Sequence, residues 1–136
     1  MTIQKLALAM SAIILTGTFT LAHAGSRLAP GGDAGVTLYP DGSGVAAGTF
    51  GQIYNNPNAR GYIGCQATAA GRVLCLAMSQ NANGTRTYGS CQSNSPYLAK
   101  SVAALGSDAR LTFSWNAQGR CLNITVTRSS QYEPKR

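Results

Sequence analysis

The sequence predicts an α+β domain: an antiparallel β-meander followed by a C-terminal hairpin, about five to seven strands in all, with one short amphipathic helix and two disulfides. Three observations predict it. Short runs rich in Val, Ile, Thr and Tyr alternate with turn clusters built from Gly, Asn and Pro. One segment, residues 95–106, repeats its apolar residues at helical spacing. Four cysteines, an even number, fall in the part of the chain that an exported protein would keep.

Residues 1–24 read as a secretory signal peptide. Lys5 supplies the positive n-region, Leu6 to Leu15 the apolar run, and Ala22 and Ala24, on either side of His23, the small residues before cleavage. The run is too short for a transmembrane segment, and the expected location is the periplasm or the extracellular space. Residues 25–136 then form one domain of 112 residues, enough to bury a single core. Losing Lys5 lowers the formal charge from +7 to +6. The arginines are scattered instead of forming a basic run, so an anionic partner is favoured over specific nucleic acid recognition.

Residues 25–60 are rich in Gly, Asn and Pro, with strands expected at 36–39 and at 45–54, the second interrupted by Gly48 and Gly51. This third is expected to be loosely held or to pack as an edge. Residues 61–128 form the disulfide-stapled core. Strands are expected at 62–68, 73–79 and 86–91, separated by Ala70-Gly71 and by Asn83-Gly84, the latter a two-residue hairpin signal. Ser95-Pro96 gives an N-cap and a first helical proline; Leu98, Val102 and Leu105 make the apolar stripe, and Gly106 stops the helix. The final hairpin pairs 111–115 with 120–127, Leu111, Phe113, Trp115, Leu122, Ile124 and Val126 facing one way. Residues 129–136 form a loose tail.

With two-residue turns, Ile63, Cys65, Ala67, Leu74, Leu76 and Met78 share the apolar face of the meander, and Cys75 lies on the other. The same parity puts Cys91 with Cys65, and Cys121 on a polar face with Cys75. The preferred pairing is therefore Cys65–Cys91 and Cys75–Cys121; Cys65–Cys75 with Cys91–Cys121 stays open as the alternative. The face opposite the apolar one carries Tyr62, Gln66, Thr68, Arg86, Tyr88 and Ser90, and it is the candidate binding face. Tyrosine offers contact area at low entropy cost, and arginine grips carboxylate or phosphate in a fork.

No metal site or cofactor is expected, because the cysteines lack zinc spacing and His23, the sole histidine, lies in the signal peptide. A mature chain without histidine cannot assemble a Ser-His-Asp or Cys-His arrangement. Asp41 with Asp108 is the one carboxylate pair worth nominating for a small hydrolase. "DGSG" at 41–44, "GYIGC" at 61–65, "GSCQS" at 89–93, a proline-started helix, "LTFSW" at 111–115 and "GRCLNITV" at 119–126 resemble a family of small, exported, cysteine-containing bacterial proteins. The resemblance implies a shared disulfide-stapled domain and no activity. The expected function is that of a non-catalytic binding protein for an anionic polymer, an envelope component or a protein partner. The alternative is a secreted enzyme inhibitor presenting residues 50–61 or 80–85, with the hydrolase third.

Overall fold

The computed structural model describes residues 34–132 and 134; the expected signal peptide and the start of the mature segment lie outside them. Seven strands and two helices follow in the order β1 (Gly35–Leu38), β2 (Gly44–Thr49), α1 (Phe50–Asn55), β3 (Tyr62–Ala67), β4 (Val73–Gln80), β5 (Arg86–Ser93), α2 (Pro96–Ala103), β6 (Ala109–Trp115) and β7 (Cys121–Arg128). They form two antiparallel sheets, β1-β2-β6-β7 and β3-β4-β5, an α+β arrangement with two disulfides. A single parallel bridge, Gln92 to Arg120, ties the sheets together, with the Gln92 amide donating to the Gly119 carbonyl.

One device makes all four hairpins. In each, the first residue's amide donates to the carbonyl four residues on, and a glycine amide donates back to the first residue's carbonyl: Tyr39 with Ser43 and Gly42, Thr68 with Arg72 and Gly71, Asn81 with Thr85 and Gly84, Asn116 with Arg120 and Gly119. Those glycines are the only described residues with positive φ, between 70° and 89°. A type I turn closed by a left-handed glycine encloses three residues, not two. Asn83-Gly84 is thus the end of a three-residue loop, and Ala70-Gly71 likewise.

The extra residue in each turn reverses β4 against the reading from sequence. Cys65 stands opposite Cys75, and Cys75 opposite Cys91, so the three share the inner face. Val73, Cys75 and Ala77 are buried there, while Leu74, Leu76 and Met78 point outward. Because β3 and β5 are each offset from β4 by the same one residue, their own parities still agree. A second irregularity explains Cys121: Ser114 pairs with Asn123 but Trp115 with Cys121, so Leu122 bulges out of register. The bulge turns Cys121 into the core and Leu122 onto the surface.

The disulfides are therefore Cys65–Cys75 and Cys91–Cys121, in place of the preferred Cys65–Cys91 and Cys75–Cys121. The first links directly opposed residues of one sheet; the second staples β5 of one sheet to β7 of the other. Both fit an oxidising compartment. No helix among the described residues is long and apolar enough to cross a membrane.

The inner face of β4 is small because Trp115 fills the space between the sheets. A methyl group at Gly89 or Gly44 would overlap its ring, and Gly89 lies opposite Ala77. Phe113 packs against it with the ring planes tilted by 39° and the centroids 5.6 Å apart. We expect Val73→Ala to cost about 2 kcal/mol and Leu76→Ser to stay within about 0.5 kcal/mol in urea titrations, the reverse of what a core leucine would give.

Of residues 25–60, the described part from Ala34 onward packs into the first sheet, with β1 as its edge strand. β2 is an interior strand between β1 and β6, and Ala46 and Thr49 are buried. The strand expected at 45–54 ends at Thr49 and turns into α1. Gly48 permits this: a Cβ there would lie 2.8 Å from Ile53 and 2.9 Å from Ile63, so its absence lets α1 and β3 close on β2. Helix α2 starts at Pro96 and buries Leu98 and Val102 as its spacing requires, although the Ser95 side chain makes no cap bond.

Candidate functional site

All six residues of the candidate binding face are exposed: Tyr62, Gln66, Thr68, Arg86, Tyr88 and Ser90. The register sets them in rows across the outer face of β3-β4-β5. Tyr62 is opposite Met78, and Met78 opposite Tyr88, so the two rings flank a methionine at about 9.5 Å from strand to strand. The next rows are Gly64, Leu76 and Ser90, then Gln66, Leu74 and Gln92. The reading from sequence put Cys75 on this face and Leu74, Leu76 and Met78 on the other. The structure substitutes Leu74, Leu76 and Met78, and makes the face larger and more apolar.

Leu76 is 44 % exposed, Tyr62 47 % and Tyr88 56 %, high values for side chains of this size grouped on one sheet face. Gly64 leaves a dent among them, since a Cβ there would meet nothing within 4 Å. The dent opens a shallow cleft lined by Tyr62, Gln66, Leu74 and Leu76.

Towards the β3-β4 turn the same face runs, through Gln66, Thr68, Arg72 and Gln92, into a polar cleft of about 720 Å³. Arg72 and Arg120 enter this cleft from different sheets, with Gln92, Ser93, Asn94, Asn116 and Gln118 between them. No carboxylate among the described residues lines it. The bridge from Gln92 to Arg120 and the Cys91–Cys121 disulfide hold its two walls together. Arg72 and Arg120 went unassigned from sequence because they belong to separate turns, and only the sheet-to-sheet bridge brings them to one place. Arg86 lies at the opposite end of the face, opposite Gln80. From Arg86 to Arg72 the face runs the length of β4, about 27 Å at about 3.4 Å per residue.

The carboxylate pair does not meet. Asp41 sits in the β1-β2 turn, beside the Trp115 end of β6, and Asp108 immediately precedes Ala109 at the other end. The strand between them spans roughly 20 Å, too far to flank one glycosidic bond. Asp41 is instead a turn residue. Its carboxylate accepts hydrogen bonds from the Ser43 hydroxyl (2.6 Å) and amide (3.0 Å), and these hold its pKa below the ordinary value. A depressed carboxylate pKa means the turn is tightened at neutral pH and released as pH falls through the carboxylate range.

Of the two loops nominated for an inhibitor, residues 50–55 are helix α1, and 80–85 are a tight hairpin tip whose Thr85 amide donates to the Asn81 side chain. The Sγ atoms of Cys75, Cys91 and Cys121 lie within 4.8 Å of one another, but every cysteine is disulfide-bonded. Comparison with protein-family models, curated proteins and solved structures finds no match to the chain.

Proposed function

We propose that the protein is an exported, non-catalytic binding protein whose outer β3-β4-β5 face and adjoining arginine cleft hold an anionic polymer. One observation carries the reading. A face with exposed Tyr62, Leu76 and Tyr88 and half-buried Leu74 and Met78 runs about 27 Å between arginines at either end, with no acid among the described residues that line it. The tyrosines present flat faces to rings or apolar backbone, the carboxamides of Gln66 and Gln92 meet hydroxyls, and the guanidiniums fork onto carboxylate, sulfate or phosphate. The spacing of the cations favours a ligand longer than one unit.

Heparin and polyuronate serve as probes, with duplex DNA as the contrasting polyanion. Retention on heparin should weaken steeply as salt rises, because binding of a polyanion releases its counterions. Replacing Tyr62, Arg86 and Tyr88 together by alanine should lower affinity at least tenfold while the urea midpoint hardly moves. Full retention by that folded variant contradicts the reading, and salt-insensitive capture of one protein would point to a protein partner instead.

A further inference from the structure

The two disulfides are close enough to exchange. Cys65, Cys75 and Cys91 stand in one row across β3, β4 and β5, each the Cα partner of the next. Cys75 therefore has two in-register neighbours and is bonded to one of them. Its Sγ also lies within 4.8 Å of both sulfurs of the other disulfide. The four cysteines differ in burial. Cys75 is fully buried and Cys91 nearly so, whereas Cys65 is half-buried on the edge strand β3. Cys65 lines two surface clefts, one with Tyr62 and Leu76 and one with Phe50 and Leu105. Cys121 lines the cleft that also holds Arg72 and Arg120.

We propose that Cys65 is a thiol-exchange site, at which a dithiol reductant moves the staple between the sheets, Cys91–Cys121, to a staple within one sheet, Cys75–Cys91. The reductant's thiolate attacks Cys65 Sγ, the Cys65–Cys75 bond breaks, and the electron pair leaves on Cys75. That thiolate is enclosed by apolar neighbours, where a charge is costly, and it attacks Cys91 Sγ. The Cys91–Cys121 bond breaks, and Cys121 leaves as a thiolate in the arginine-lined cleft, where positive charge stabilises it and makes it the better leaving group. The second thiol of the reductant then displaces Cys65. In total the dithiol is oxidised to a disulfide, two electrons and two protons pass to Cys65 and Cys121, and the protein keeps one disulfide. The inference goes beyond the binding reading and does not depend on it.

The purified, oxidised protein treated with one equivalent of dithiothreitol, quenched in acid, denatured and alkylated tests this. Cleavage after Arg72, Arg86 and Arg120 places each cysteine on its own peptide. The expected two-electron-reduced species joins Cys75 to Cys91, with Cys65 and Cys121 alkylated. A species that keeps Cys91–Cys121 with Cys65 and Cys75 alkylated overturns the proposal, as does one that keeps Cys65–Cys75. A variant needs no reductant: Cys65→Ser frees Cys75 from the start, and a measurable Cys75–Cys91 fraction is expected in it. Cys91–Cys121 as its sole linkage would contradict the exchange.

Discussion

Replacing Cys91 and Cys121 together by alanine should lower the unfolding free energy by about 4 kcal/mol, against about 3 kcal/mol for the Cys65 and Cys75 pair, as read from urea titrations. The chain-entropy part follows from sequence separations of 30 and 10 residues. Position widens the gap. Cys65–Cys75 joins two strands that the β3-β4 ladder already pairs, whereas Cys91–Cys121 joins separate sheets across a single backbone bridge. Against a typical total of 5 to 15 kcal/mol, a loss of this size leaves a marginal domain. It should also loosen the arginine cleft, whose walls that disulfide holds. A smaller loss for the Cys91 and Cys121 pair than for Cys65 and Cys75 would contradict the view that the staple between sheets carries the fold.

Gly89→Ala should cost about 3 kcal/mol, at the upper end of what overpacking does, because its methyl group would overlap the Trp115 ring. The ring cannot retreat, since Gly44 faces it from β2 with no more room. Trp115 is the one tryptophan of the chain, so its fluorescence reports the displacement directly. Trp115→Leu should destabilise on its own by leaving a cavity, yet the double variant should be better than the two costs added, by about 1 to 3 kcal/mol. Strict additivity would mean that the glycine and the indole do not share the space between the sheets.

Much of the architecture was legible in the sequence, and the errors have two origins, the length of the turns and one bulge. Leu98 and Val102 at helical spacing placed α2, and Leu111, Phe113 and Trp115 placed β6, because burial of one face imposes a period that the residues must follow. What spacing alone could not give was turn length. Asn83-Gly84 suits a two-residue turn and the end of a three-residue one equally, and the difference reverses a whole strand. The leucines of β4 reinforced the mistake, since the larger residues face outward and Val73, Cys75 and Ala77 are the ones buried. The bulge at Leu122 carries no signature of its own, and it alone moved Cys121 into the core.

The same errors explain what was visible of the candidate site. Tyr62, Gln66, Arg86 and Tyr88 share one sheet face, as their spacing suggests, because the offsets of β3 and β5 from β4 are equal. The arginine cleft was out of reach: Arg72 and Arg120 lie far apart in sequence, and only the bridge from Gln92 to Arg120 and the neighbouring disulfide bring their turns into one place. Such a site is a property of how the sheets meet, not of any local motif.

Amide chemical-shift mapping of the labelled protein during titration with a short uronate oligomer tests the binding account most directly. The account predicts saturable shifts concentrated on Tyr62–Gln66, Leu74–Met78, Tyr88–Gln92 and the turns carrying Arg72 and Arg120, fading as salt is raised. Shifts centred on α2 or on the exposed face of β7, or no saturable shifts at all, would contradict it.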